Sequence, residues 1–81
     1  MTFTAHINVM PLKELLDPQG KAVMGGLKNL GISQVNDVRI GKHITLQIEA
    51  ASAEEAKTLA ETACQKLLAN QVMESFEVSI A

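Results

Sequence analysis

An apolar side chain occupies every second position of the stretch Thr2-Phe3-Thr4-Ala5-His6-Ile7-Asn8-Val9. Polar side chains fill the positions between them, so the pattern repeats every two residues. This period predicts a β-strand with one buried face and one polar face. Pro11 ends the strand, because proline has no backbone N–H to donate to a sheet. We therefore expect the chain to begin with a half-buried strand.

A helix is predicted to begin after Asp17, which is a good N-cap and precedes a proline suited to the first helical position. Its apolar side chains fall on one face, at Val23, Leu27 and Leu30. Gly31 is the expected left-handed stop. Gly25 and Gly26 lie inside the helix, where each costs about 1 kcal/mol relative to alanine. We expect close packing of the helix on a sheet to explain them; the alternative is a surface that the backbone of another subunit approaches.

Residues 35–49 are predicted to form a β-hairpin. Val38 and Ile40 precede Gly41-Lys42, and three apolar residues follow with a period of two: Ile44, Leu46 and Ile48. Glycine at the first central position suits a type II′ turn, whose twist matches that of the flanking strands.

A second helix is predicted from a capping box, with Ser52 at the cap and Glu55 three residues later. Its apolar stripe consists of Ala56, Leu59, Ala60, Ala63 and Leu67, and we expect it to end near Asn70. Phe76, Val78 and Ile80 then alternate with polar residues and predict a last strand.

The order strand, helix, strand, strand, helix, strand predicts an α+β fold. Two such halves build a two-layer sandwich, a ferredoxin-like split βαββαβ with a four-stranded antiparallel sheet and two helices on one face. Residues 1–81 are expected to form a single domain.

Composition excludes several classes of function. The chain has a net charge of −2, no Trp or Tyr and only two Phe, so it lacks the basic surface and the aromatic platforms of nucleic-acid binders. No apolar stretch approaches the roughly 20 residues that span a bilayer. The single cysteine, Cys64, cannot form an internal disulfide. We therefore expect a cytoplasmic protein with neither nucleic acid nor membrane as a partner.

No catalytic or metal-binding group is expected in this chain. His6 and His43 both project toward the polar sheet face, and we interpret them as solvated, because a metal site needs a further ligand for which Glu49 and Glu77 are weak candidates. Cys64 is expected to be a small, partly buried thiol of the core rather than a reactive one.

Two exposed turns remain as candidate sites. The stretch Asp17-Pro18-Gln19-Gly20-Lys21 places a glycine and a lysine at a helix N-terminus, as anion sites do, but it lacks the spacing of a P-loop and Asp17 would repel a phosphate. Capping is therefore the expected role of Asp17, with contact to a partner or an anion as the alternative. Arg39 and Lys42 flank Gly41 at the predicted hairpin tip, where a solvated turn is the commoner outcome.

The same two turns carry a resemblance to a known family. The stretches Leu16-Asp17-Pro18-Gln19-Gly20-Lys21-Ala22-Val23 and Val35-Asn36-Asp37-Val38-Arg39-Ile40-Gly41-Lys42 closely resemble the two signature stretches of the PurS family. Cys64-Gln65-Lys66-Leu67-Leu68-Ala69-Asn70, followed by Glu74-Ser75-Phe76-Glu77-Val78, is similar to the C-terminal pattern of that family. PurS is the small subunit of phosphoribosylformylglycinamidine synthase, and the match covers essentially the whole chain.

The resemblance implies a non-catalytic subunit of a ligase in de novo purine biosynthesis. The complex uses ATP, Mg²⁺ and glutamine, and the resemblance implies that PurS carries none of these. Its implied partners are the synthetase (PurL) and the glutaminase (PurQ), which it helps to assemble and between which it is thought to help ammonia pass, together with further copies of itself in a homodimer or higher homo-oligomer. The implied partner-binding residues are Asp17, Gln19, Lys21, Arg39, Gly41 and Lys42.

Three other classes of domain share the predicted topology. An ACT-type regulatory module that binds a small molecule is the main alternative. An acylphosphatase-like enzyme is disfavoured, because Met10-Pro11-Leu12-Lys13 stands where its phosphate loop is expected. An RNA-recognition domain is disfavoured by the missing strand aromatics.

Overall fold

Three antiparallel strands form the sheet in the computed structural model, which describes residues 1–13 and 15–81. The strand β1 (Thr2–Pro11) lies at the centre, between β2 (Lys42–Glu49) and β3 (Glu74–Ile80). The register pairs His6 with Thr45 on β2 and with Ser79 on β3. The first strand of the chain is therefore the one that both others pair with.

The core lies between β1 and one helix, α2 (Ala53–Ala63). Ala5, Ile7 and Val9 on β1 are completely buried. Small residues of α2 face them, and a π-helical turn (Cys64–Leu68) extends the helix, with the Ala69 N–H donating to the carbonyl of Cys64 at 3.0 Å. The apolar side chains of the outer strands β2 and β3 stay half-buried, since a single helix cannot cover the whole face of the sheet.

The helix α1 (Pro18–Asn29) projects away from this core. Gly20 is the buried residue of α1, and α1 makes no extensive contact with the strands in the described part of the chain. After Gly31 the chain returns along α1, so that Val38 comes to lie beside Gly20. We call residues 18–40 the arm. The arm gives the molecule extents of 51 × 24 × 14 Å and a radius of gyration of 16.2 Å, where a compact chain of this length would have about 12 Å.

The prediction of a four-stranded sheet with two helices on one face is wrong. Residues 33–41 form neither a strand nor the first half of a hairpin. The N–H groups of Val38 and Ile40 donate to the carboxylates of Asp37 and Asp17 instead of to a neighbouring strand. Among the described strands, β2 pairs only with β1, so its outer edge, where the hairpin partner was expected, has no strand beside it, and α2 is the helix that packs on the sheet.

The predicted helix and strand boundaries are largely confirmed. Asp17 caps α1 and Pro18 is its first residue, while Gly31 adopts a φ of 85°. Ser52 caps α2, accepting the N–H of Glu55 at 3.2 Å. The helical segment ends at Leu68, two residues before the predicted end, and β1 ends at Pro11.

The explanation of Gly25 and Gly26 by packing on the sheet is wrong. A Cβ at either position would meet no atom within 4 Å. The two glycines lie on an open surface of the arm.

No helix among the described residues is long and apolar enough to cross a membrane.

Candidate partner-binding site

The carboxylate of Asp17 joins the start of the arm to its end. Its Oδ1 accepts the N–H of Gly20 at 3.0 Å, inside the first turn of α1. Its Oδ2 accepts the N–H of Ile40 at 2.8 Å, 23 residues further along the chain. These two N–H groups, Gly20 first, lower the pKa of Asp17 below its ordinary value of 3.8, and the charge of Arg39 adds a smaller effect. We call this connection the Asp17 junction.

Two glycines let chain segments approach closely around this junction. A Cβ at Gly20 would overlap the carbonyl oxygen of Val38, and a Cβ at Gly41 would overlap the carbonyl oxygen of Val9 and the sulfur of Met10. Gly41 thus allows the chain to pass against β1 just before β2 begins. Both glycines are required by close backbone contact, not by a positive φ.

Arg39 is half-buried and its guanidinium donates a hydrogen bond to the carbonyl oxygen of Pro11. Lys42 is the first residue of β2, not part of a hairpin tip, and its Nζ lies 3.9 Å from a carboxylate oxygen of Glu74. Gln19 and Lys21 are exposed on the first turn of α1.

The structure brings four of the six predicted site residues together. Asp17, Lys21 and Arg39 line one open pocket of about 140 Å³. Asp17 and Gln19 line a neighbouring cleft of about 430 Å³, between residues 15–19 and the turn before β3. Gly41 and Lys42 line neither of these two spaces.

Sequence reasoning missed Lys13, which lines the smaller pocket together with Lys21 and Arg39. In the sequence Lys13 is a single charge after the first strand, with no motif around it. Only the folded chain shows that Lys13 lies close to the other two cations.

Exposed apolar side chains adjoin the same region. Leu15 and Leu16 line both the pocket and the cleft, and Leu16 is 69% exposed. Met73, which is 54% exposed, lines the cleft from the opposite side. Apolar area beside oriented charges is typical of a surface that binds another protein.

The two histidines are neighbours on the polar sheet face, as their alternation predicted. Their ring centroids lie 5.6 Å apart, and Nδ1 of His43 is 2.7 Å from Oδ1 of Asn8. Among the described residues no group of three or more His, Cys, Asp or Glu side chains is arranged to hold a metal ion. Cys64 belongs to the core as expected and is completely buried, and burial, with a smaller contribution from Glu61, raises the pKa of its thiol.

Comparison with known proteins identifies relatives over nearly the whole chain. Residues 4–81 match the family model described as PurS, phosphoribosylformylglycinamidine (FGAM) synthase. The PurS subunit of Bacillus subtilis is 44% identical over 70 residues, which cover 85% of this chain and 82% of that protein. The PurS subunit of Synechocystis is 41% identical over 75 residues, covering 93% of this chain and 75% of that protein.

Solved structures give the same result for the fold. A chain of PurLQS from Thermotoga maritima superposes with a TM-score of 0.91 at 32% identity, covering 100% of this chain and 99% of that one. PurS of Bacillus subtilis superposes with a TM-score of 0.88 at 37% identity, covering 98% of both chains.

Proposed function

The chain belongs to the PurS family of phosphoribosylformylglycinamidine synthase subunits, and from that premise we propose that it works by docking the catalytic subunits of that enzyme to one another. The observation that supports this role most strongly is the arm. It projects from a small sheet and ends at a junction where oriented charges adjoin exposed leucines. A side-chain set of this kind suits the recognition of another protein surface. The PurS relatives favour this role over a regulatory module for small molecules.

The proposed partners are a PurL synthetase and a PurQ glutaminase. The Thermotoga maritima neighbour comes from a structure of PurLQS. By the same assembly, this chain would contact the two subunits through the six residues Asp17, Gln19, Lys21, Arg39, Gly41 and Lys42. Asp17 and Gly41 would set the shape of the contact surface, because their neighbours are other segments of this chain. The exposed side chains of Gln19, Lys21 and Lys42 would make direct contact, and so would the free part of Arg39.

The contribution of the chain to the reaction would be positional. Ammonia released into water is protonated and diluted, whereas docked subunits keep it neutral and close to its target, which raises its effective concentration. ATP, Mg²⁺ and glutamine would bind to the partner subunits, and this chain would supply no catalytic residue. The complex would work in the cytoplasm.

We also propose that the chain forms a homodimer or a higher homo-oligomer. Its accessible surface is 5690 Å², about 1,000 Å² more than a compact monomer of 8.7 kDa exposes. A stable interface covers about 800 Å² on each partner. On α1 the exposed Val23 and the C-cap residue Leu30, 77% exposed, offer part of this area. Light scattering should give at least twice the monomer mass at micromolar concentration, and a monomer would contradict the proposal.

Reconstitution tests the docking role. The synthetase and glutaminase, mixed with this chain, should make product from glutamine, and leaving out the chain should abolish that activity while ammonia-dependent synthesis by the synthetase alone persists. The double variant Arg39→Glu/Lys42→Glu should lower the glutamine-dependent rate. A matched double reversal on α2 and the following turn, Lys57→Glu/Lys66→Glu, should not. Full glutamine-dependent turnover by the first variant would contradict the role assigned to these residues.

A further inference from the structure

Charge is distributed unevenly along this acidic chain. Residues 1–42 contain five of its seven cations and three of its nine carboxylates. Residues 43–81 contain two cations and six carboxylates. The part that carries the arm is therefore net positive, although the whole chain has a net charge of −2.

Three of these cations meet in one place. Lys13 follows β1, Lys21 lies in the first turns of α1, and Arg39 lies on the segment that returns to β2, yet all three line the pocket of about 140 Å³. We call it the cationic pocket. The Arg39 guanidinium is held at one side by the carbonyl oxygen of Pro11, which fixes its direction. A guanidinium offers five N–H donors, so most of them remain for a ligand.

The two described carboxylates that line the pocket, Asp17 and Asp37, accept backbone N–H groups. Both oxygens of Asp17 accept backbone N–H groups, from Gly20 and Ile40. Oδ1 of Asp37 accepts the N–H of Val38. Among the described residues, the pocket therefore combines two exposed lysines and Arg39 with carboxylates of which three oxygens already accept backbone N–H groups. Lys42 is not part of it, since it lies near Glu74 instead.

We propose that the cationic pocket receives an acidic side chain from a segment of a partner subunit, with an apolar residue of the same segment resting on Leu15 and Leu16. This inference rests on the proposed function and adds the chemistry of the surface that the pocket recognises. Among the described residues that line the pocket, three cations beside two carboxylates leave about one positive charge, which a single carboxylate matches and a phosphate dianion exceeds. Leu15 and Leu16 line the pocket as well as the adjoining cleft, so an apolar neighbour of the acidic residue has a place to pack.

Association kinetics test the proposal on the assembled system. Binding of the chain to the synthetase, with the glutaminase present, should slow as ionic strength rises, because charges at an interface act mainly on the association rate. The variant Lys13→Glu/Lys21→Glu should slow association about tenfold or more at low salt and flatten its salt dependence. Both lysines are exposed, so the fold should survive, as a thermal melt will show.

Two further variants separate the pocket from general charge. Lys57→Glu/Lys66→Glu changes the net charge by the same amount away from the pocket and should leave the association rate within about twofold of wild type. An equal loss in both variants would overturn the proposal. Arg39→Lys keeps the charge but removes the planar fork, so it should speed dissociation with little effect on association; an unchanged dissociation rate would remove Arg39 from the proposed site.

A titration of the isolated chain tests ligand binding at the cationic pocket independently of the assembly of the complex. A short peptide that carries one Glu beside one Leu should shift the amide resonances of Lys13, Lys21 and Arg39, and its Gln counterpart should not. Inorganic phosphate that bound more tightly than the peptide would overturn the proposal in favour of a phosphate site. If wild-type chain failed to bind the synthetase and the glutaminase while the peptide still bound, the proposed function would be wrong and the pocket would stand.

Discussion

Substitution of glycine by alanine should have opposite effects at two positions of the same helix. Gly26 lies in the exposed interior of α1, with no atom within 4 Å of the place where a Cβ would stand. Gly20 lies in the first turn, where a Cβ would overlap the backbone oxygen of Val38 and stand 2.9 Å from Oδ2 of Asp17. The chemical change is identical, so any difference reports the packing of the arm.

The magnitudes follow from that contact. Gly26→Ala should stabilise α1 by about 1 kcal/mol, because alanine loses less backbone entropy in a helix. Gly20→Ala should cost about 1–3 kcal/mol, because a carbonyl oxygen of the main chain cannot move aside as the end of a flexible side chain can. In a domain of this size each kcal/mol corresponds to a shift in Tm of about 4–8 °C.

Urea unfolding followed by circular dichroism measures the difference, and hydrogen exchange shows where it arises. If the arm unfolds separately from the sheet, the gain from Gly26→Ala should be confined to the amides of α1. Gly25→Ala, with the same open surroundings, should behave like Gly26→Ala. A Gly20→Ala protein as stable as the Gly26→Ala protein would refute the close contact between α1 and the returning segment.

Two further predictions concern single side chains. The pKa of Asp17 is lowered in the folded chain, so the ionised carboxylate stabilises the arm fully above its unfolded pKa of about 3.8, and this stabilisation is lost as the pH falls through the lower folded value. The amide resonances of Gly20 and Ile40 should follow the titration of this carboxyl group, and Asp17→Asn should abolish the pH dependence. Cys64 is completely buried with a raised pKa, so a thiol reagent at pH 8 should react with it only at the rate of unfolding, and rapid labelling in the absence of urea would contradict its placement in the core.

The elements that the sequence predicted correctly are those with local causes. β1 and β3 show a clean period of two, and α2 shows a capping box followed by a stripe of small apolar residues. The signal at each of these places lies within a few residues of the structure it specifies. Asp17 and Gly31 belong to the same class, because a helix cap depends on its own neighbours.

The missing fourth strand has a long-range cause. Val38 and Ile40 alternate with polar residues as a strand would, but the N–H of Ile40 donates to a carboxylate 23 positions earlier.

The wrong prediction that α1 packs on the sheet has a related explanation. The apolar stripe on α1 predicts that one face of the helix is suited to burial, but it does not predict which surface buries it, and Val23 and Leu30 are exposed. The residue patterns alone predict only that the chain is a binding or assembly module; the resemblance of the signature stretches indicates the family. Neither the residue patterns nor the resemblance predicts Lys13 as a site residue, because nothing in the sequence links it to Lys21 and Arg39.

The residues of the two signature stretches act on the arm in two different ways. The first group, Asp17, Gly20 and Gly41, holds segments of this chain together. The second group presents charge to the outside and contains Lys21, while Arg39 belongs to both groups because its guanidinium also donates to the carbonyl oxygen of Pro11. A substitution in the first group should change the direction of the arm, and one in the second group should change only what the arm recognises. The arm itself leaves a large surface uncovered, which an isolated domain of 81 residues can scarcely tolerate, since its stability is only about 4–12 kcal/mol. That surface is consistent with selection for association, and the stability of the arm should therefore rise most when its partners bind.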